Sequence, residues 1–253
     1  LTQAIFANPS GGLLFEVQNY LYLYIPLLTM GLMSRELSSG SINLLYSSPI
    51  TNTQIILGKY LSMMIYGLVM MFVLVVFILI AYFSIKDFDL PMVLSGLLGL
   101  YFLLCVYAAV GLFMSSLTSY QVVAAIGTIA IFAMLGYVGN SWQHVEFVRD
   151  LTYWLSISGR SKIFLEGMIC SRDIFYFVLV IFMFLVFTFI KLQGERLKRT
   201  VWRTSGSYLF VFAMVLLAGY GSSRPQMMVY YDATATKLNT LTENSQEIVK
   251  QLD

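Results

Sequence analysis

The chain has 253 residues, 58% hydrophobic and 11% charged, with a mean hydropathy of +0.78. That much apolar surface cannot be hidden inside one globule of this size, which excludes a soluble enzyme. Its 15 Lys and Arg against 13 Asp and Glu leave a net charge of +2 and no basic field for nucleic acid, so the meaning of the charges lies in where they fall.

A membrane-crossing helix needs about 20 mostly apolar residues to traverse about 30 Å of hydrocarbon. The interval from Glu16 to Arg35 encloses 18 uncharged residues and that from Lys59 to Lys86 encloses 26, giving two spans. Asp89 to Glu146 encloses 56, about 84 Å as a helix, so this stretch must double back. The polar run Ser115-Ser116-Leu117-Thr118-Ser119-Tyr120-Gln121 is the bend, making a hairpin of two spans. Asp173 to Lys191 encloses 17 wholly apolar positions, the fifth span, and Arg203 to Arg224 encloses 20, the sixth. Cys105 and Cys170 are too few for a disulfide framework.

Orientation follows from Lys and Arg in the short connections. Residues 191–203 carry five positive side chains and one negative, which predicts a cytoplasmic position. Counting back, residues 35–59 also fall inside, while the Lys86–Asp89 connection, the 140–173 connection and both termini fall outside. The sequence starts at Leu1 without a signal-peptide pattern, so one further span is expected upstream. The predicted fold class is an all-α polytopic membrane bundle with six spans in view. Residues 1–195 form the bundle, 196–203 a basic cytoplasmic linker, 204–223 an additional transmembrane helix, and 224–253 the opening of an extracytoplasmic domain.

The cytoplasmic segment from Arg35 to Lys59 has two breaks, at Gly40 and at Ser47-Ser48-Pro49. Thr51 and Gln54 have capping-box spacing, which predicts a helix starting near Asn52 and running into the second span. Leu37, Ile42, Leu44 and Leu45 give the short preceding piece an apolar side, suited to a membrane surface or to a partner. From the residues alone, an ordinary connecting loop is the preferred reading.

The order of an acidic residue (Glu36), Gly40 with the hydroxyl residue Ser41, an aliphatic run, Ser48-Pro49, then Ile55-x-x-Gly58-Lys59 resembles the first cytoplasmic loop of type-2 ABC exporter permeases. Within that family it is most similar to the gliding-motility permeases of the GldF kind, over about residues 15–195, including the outer connection from Ser156 to Phe177. Asn43 departs from the family's frequent Glu. The resemblance implies a permease subunit of an ATP-driven exporter, without enzymatic activity or cofactor of its own. ATP and Mg would be bound by a separate ABC ATPase, and a second permease copy or homologue would complete the dimer. It further implies that Arg35, Glu36, Gly40, Ile42, Leu44, Leu45 and Pro49 form the ATPase-coupling helix and turn, and that the protein sits in a bacterial inner membrane. It implies short re-entrant helices in the outer connection as well. Residues 231–253 are similar to the start of a GldG-like extracytoplasmic partner, with Asn244 and Glu247 capping a helix.

Residues 142–155 have the spacing of an interfacial helix flanked by Trp142 and Trp154. In the fourth span Ala124, Gly127, Ala130, Ala133, Gly136 and Gly139 recur at helical spacing, and the preferred reading of Gly127, Ala130, Ala133 and Gly136 is close helix packing. Tyr20, Tyr22, Tyr24, Tyr82, Tyr137 and Tyr176 lie toward the outer ends as an aromatic belt. No span contains an acid, the single histidine is His144 in the outer connection, and Gly58-Lys59 lacks the glycine and hydroxyl residue of a phosphate loop. An intramembrane hydrolase and an ion-coupled carrier are therefore disfavoured. The alternative to a permease is a membrane scaffold that passes ATPase movement to an extracytoplasmic domain without moving a solute.

Overall fold

The charge-free stretches fold as helices, because a helix is the only open segment that satisfies its own backbone in lipid. A computed structural model describes residues 2–137, 157–197, 201–222, 229–235 and 237. In chain order the elements are α1 (Thr2–Phe6), α2 (Leu13–Thr29), α3 (Ser34–Ser39), α4 (Ile42–Ser47), α5 (Asn52–Ser84), α6 (Leu90–Leu117), α7 (Gln121–Tyr137), α8 (Ile157–Leu165), β1 (Met168–Cys170), α9 (Ser171–Arg196), α10 (Val201–Ser222) and β2 (Tyr230–Asp232). The protein is an all-α polytopic membrane protein, with α5, α6 and α9 each long and apolar enough to cross a bilayer and α7 a shorter apolar helix. The helices α2 and α10 lie where the first and sixth spans are expected. The interfacial helix expected at 142–155, the basic pair Lys198-Arg199 and the C-terminal helix expected near Asn244 lie outside the described residues.

The helix α6 is the axis of the bundle. In its most apolar 18-residue stretch 67% of residues are buried, against 39% in α9 and 22% in α5, and it packs against α2, α5, α7, α8 and α9. Its sequence is apolar on all sides, as a fully surrounded helix requires. Two glycines set how closely neighbours approach: a Cβ at Gly99 would collide with Phe164 of α8, and one at Gly111 with Thr29 of α2. By contrast, α5 turns Leu61, Ile65, Val69, Phe72, Val73 and Phe83 outward, the face that lipid covers.

Helix ends follow local chemistry. The Thr51–Gln54 capping box is formed in both directions, and α5 begins at Asn52 as its spacing predicts. Asp89 caps α6 by accepting from the Met92 amide at 3.2 Å, with Pro91 in the first turn. The hairpin bend is where the polar run predicts it, between Leu117 and Gln121. The first span departs from expectation, since α2 contains Pro26, ends at Thr29 and restarts as α3 at Ser34. The short antiparallel sheet is also unforeseen, pairing Met168 with Asp232, Ile169 with Tyr231 and Cys170 with Tyr230. It gathers the entry to α9 and the segment after α10 at one end of the bundle, with the top of α6.

Two sequence expectations need correction. The bundle does contain packed charge: Arg160 of α8 and Asp173 in the first turn of α9 are 2% and 0% exposed and form an ion pair at 2.5 Å. Tyr176 is not part of an aromatic belt, because it is 1% exposed and lies beneath the Arg160 guanidinium, 4.4 Å from its ring centre. Paired charge is tolerated at such a position where isolated charge is not.

Candidate functional site

At the opposite end, the break between α2 and α3 opens the chain toward a loop made of α3, α4 and the start of α5. Residues 30–33 leave backbone groups without helical partners, and Ser115 of α6 supplies them. Its Oγ accepts from the Met33 and Ser34 amides at 2.8 and 3.0 Å and donates to the Met30 carbonyl at 2.9 Å. With Ser115 buried in α6, the start of α3 is fixed to the bundle axis.

The helix α3 lasts six residues before Gly40, which adopts φ +73°, a left-handed conformation that ends the helix and turns the chain. The helix α4 runs Ile42–Ser47, and Ser48 is extended, as the residue before Pro49 must be. These residues have divided roles. Ile42 is buried, Leu37 and Leu45 are half-buried against the core, and Leu44 is 73% exposed. Arg35, Gly40, Asn43 and Pro49 are exposed, and Glu36 is half-buried.

Two clamps hold the loop. On α5, the Lys59 ammonium donates to Glu36 Oε1 and to the Leu32 carbonyl, both at 2.5 Å. On α9, Arg196 donates to the carbonyls of Tyr46 (3.1 Å) and Ile50 (3.3 Å) and to Asn52 Oδ1 (3.2 Å). Glu195 accepts from the Tyr46 hydroxyl at 3.4 Å and pairs with Lys191 at 2.9 Å. Burial first, and then the Glu195 charge, pushes the Tyr46 hydroxyl up to about 12, so it stays a neutral donor. The loop is thus a rigid piece fastened to two long helices, with Leu44 and Arg35 presented outward.

Arg35, Glu36, Gly40, Ile42, Leu44, Leu45 and Pro49 are brought together in this one feature. Arg196 and Tyr46 complete it. Sequence reasoning grouped Arg196 with the basic linker, whereas it is the last residue of α9. A guanidinium suits a task that takes three acceptors at once, yet its separation from Tyr46 in sequence leaves no periodic trace. On α7, Gly127 is half-buried where a Cβ would meet Met114, Ala130 and Ala133 are exposed, and Gly136 is half-buried with open space beside it.

Residues 20–146, which cover this loop and the helices α5 to α7, match a family model described as ABC-2 family transporter protein. No curated protein and no solved structure matches the chain.

Proposed function

Because the chain belongs to the ABC-2 transporter family and is a permease component of an ABC transporter, we propose that its α3–α4 loop receives the movement of a separate ATPase. The observation that carries this reading is the double clamp. A surface that must pass on force has to be stiff, and this loop is tied to α5 through Glu36–Lys59 and to α9 through Arg196. The exposed Leu44 is a small apolar contact of the kind that seats in a partner's groove. ATP and Mg belong to the partner, the transporter is of the export type, and a second permease subunit completes the assembly. The loop end lies in the cytoplasm of a bacterial inner membrane, with the β1–β2 end outside. The loop's likeness to gliding-motility permeases, and that of residues 231–253 to a GldG-like opening, support a role in envelope machinery.

The scaffold reading has one observation in its favour, the docking of the segment after α10 onto the bundle by strand pairing. ATP-dependent transport in sealed vesicles separates the two. The coupling loop itself is tested by Glu36→Lys, which sets a second cation beside Lys59, and Gly40→Trp, which forces a left-handed conformation costing about 1–2 kcal/mol on a bulky residue. Each should lower permease-stimulated ATP hydrolysis at least tenfold while the chain accumulates normally in the membrane. Normal stimulation in both variants would remove the loop from the coupling path.

A further inference from the structure

The outer cap of the bundle is a docking surface occupied by the chain's own segment from Val229 to Ala235. Val229 donates to Ser171 Oγ at 3.1 Å, and its carbonyl accepts from the Ser171 amide at 3.0 Å. The strand then pairs through Tyr230, Tyr231 and Asp232 with Cys170, Ile169 and Met168. The Ala233 amide donates to the Gly167 carbonyl at 2.9 Å, and that of Ala235 to Asp89 Oδ2 at 3.0 Å. Thr234 is 4% exposed, with its methyl group over Gly167. The segment is held mainly through its backbone, the mode of strand addition, while the side chains of Val229, Tyr230 and Tyr231 face outward.

Ser171 is also the first residue of α9. The same helix ends at Arg196, which holds the loop on the other side. Its 26 residues contain no proline, and at 1.5 Å per residue they make a rod of about 39 Å. Near the outer end the rod is fixed laterally by the Arg160–Asp173 pair and by stacking of Phe177 on Phe102. We propose that α9 carries displacement of the α3–α4 loop across the membrane to strand β2, making the segment after α10 the output of the permease. The inference rests on the reading of the loop as the ATPase contact.

The test uses the full chain assembled with its ATPase, with spin labels read by pulsed electron resonance. One label pair, Ser39→Cys with Ser119→Cys, reports the loop, and a second, Tyr231→Cys with Ser84→Cys, reports the strand. All four positions are exposed. Cys105 and Cys170 are buried, and burial followed by the charge of Asp173 pushes the Cys170 thiol up to about 11, so neither native cysteine takes label. With MgATP, both distances should shift by about 2 Å or more, the scale of helix shifts in switching proteins. Arg196→Ala should keep the loop shift and abolish the strand shift. Arg196→Lys, which keeps the charge and loses the forked geometry, should at least halve the strand shift and guards against a folding defect in the alanine variant. A loop that shifts while the strand stays still overturns transmission and leaves the coupling reading standing. An undiminished strand shift in both Arg196 variants overturns the route through α9. If neither pair moves, the coupling reading itself falls.

Discussion

Arg160 and Asp173 are the two most deeply packed charges among the described residues, and they pair with each other at 2.5 Å, with Arg172 a more distant partner of Asp173 at 3.5 Å. Removing Arg160 leaves the buried Asp173 with Arg172 alone, at the longer distance, a loss of up to about 3–5 kcal/mol. Arg160→Ala should therefore strongly lower the unfolding midpoint in detergent, whereas Arg160→Met combined with Asp173→Leu should recover most of it. A double variant as unstable as the single one would assign the cost to lost packing instead. Both residues were visible in the sequence as two of several balanced charges in a connection. Their pairing was not, since a separation spanning a short helix, a turn and a strand carries no periodicity. Tyr176 was misread for the same reason: its position near a helix end fits an aromatic belt, and only the guanidinium above it says otherwise.

Charge-free intervals located α5, α6, α7 and α9 because unpaired charge is costly in hydrocarbon. They erred on where elements end. The helix α9 runs beyond Asp173 and Lys191 at either side, as its terminal charges find partners in Arg160 and Glu195. The capping box and the bend after Leu117 were legible because their signals are local. The role of Ser115 was not, because it caps an element far from it in sequence. Ser115→Ala strips the acceptor from two buried amides, a loss of about 1–3 kcal/mol. Hydrogen exchange at Met33 and Ser34 should accelerate about tenfold or more, since 1.4 kcal/mol is a factor of ten. Unchanged exchange would mean that the α2–α3 break is held by packing alone.

The arrangement of ends is a property of the whole molecule. The sheet sets the entry to α9 beside the segment after α10, and the two clamps set α3, α4, the start of α5 and the end of α9 together at the other extremity. The proposed orientation, drawn from loop charge, puts the second extremity in the cytoplasm. A membrane-impermeant maleimide added to sealed cells should label Tyr231→Cys and not Ser39→Cys; the reverse pattern would invert the bundle. One dimension of α5 bears on what can reach the loop. Its 33 residues amount to about 50 Å, some 20 Å more than the hydrocarbon layer of about 30 Å. That excess is about the thickness of the two headgroup layers together, so the first turns of α5, ahead of Lys59, have room among the lipid heads outside the hydrocarbon. The turn from Tyr46 to Ile50, which precedes those first turns, is thereby kept at the edge of the lipid heads, where a folded protein meets it without entering hydrocarbon.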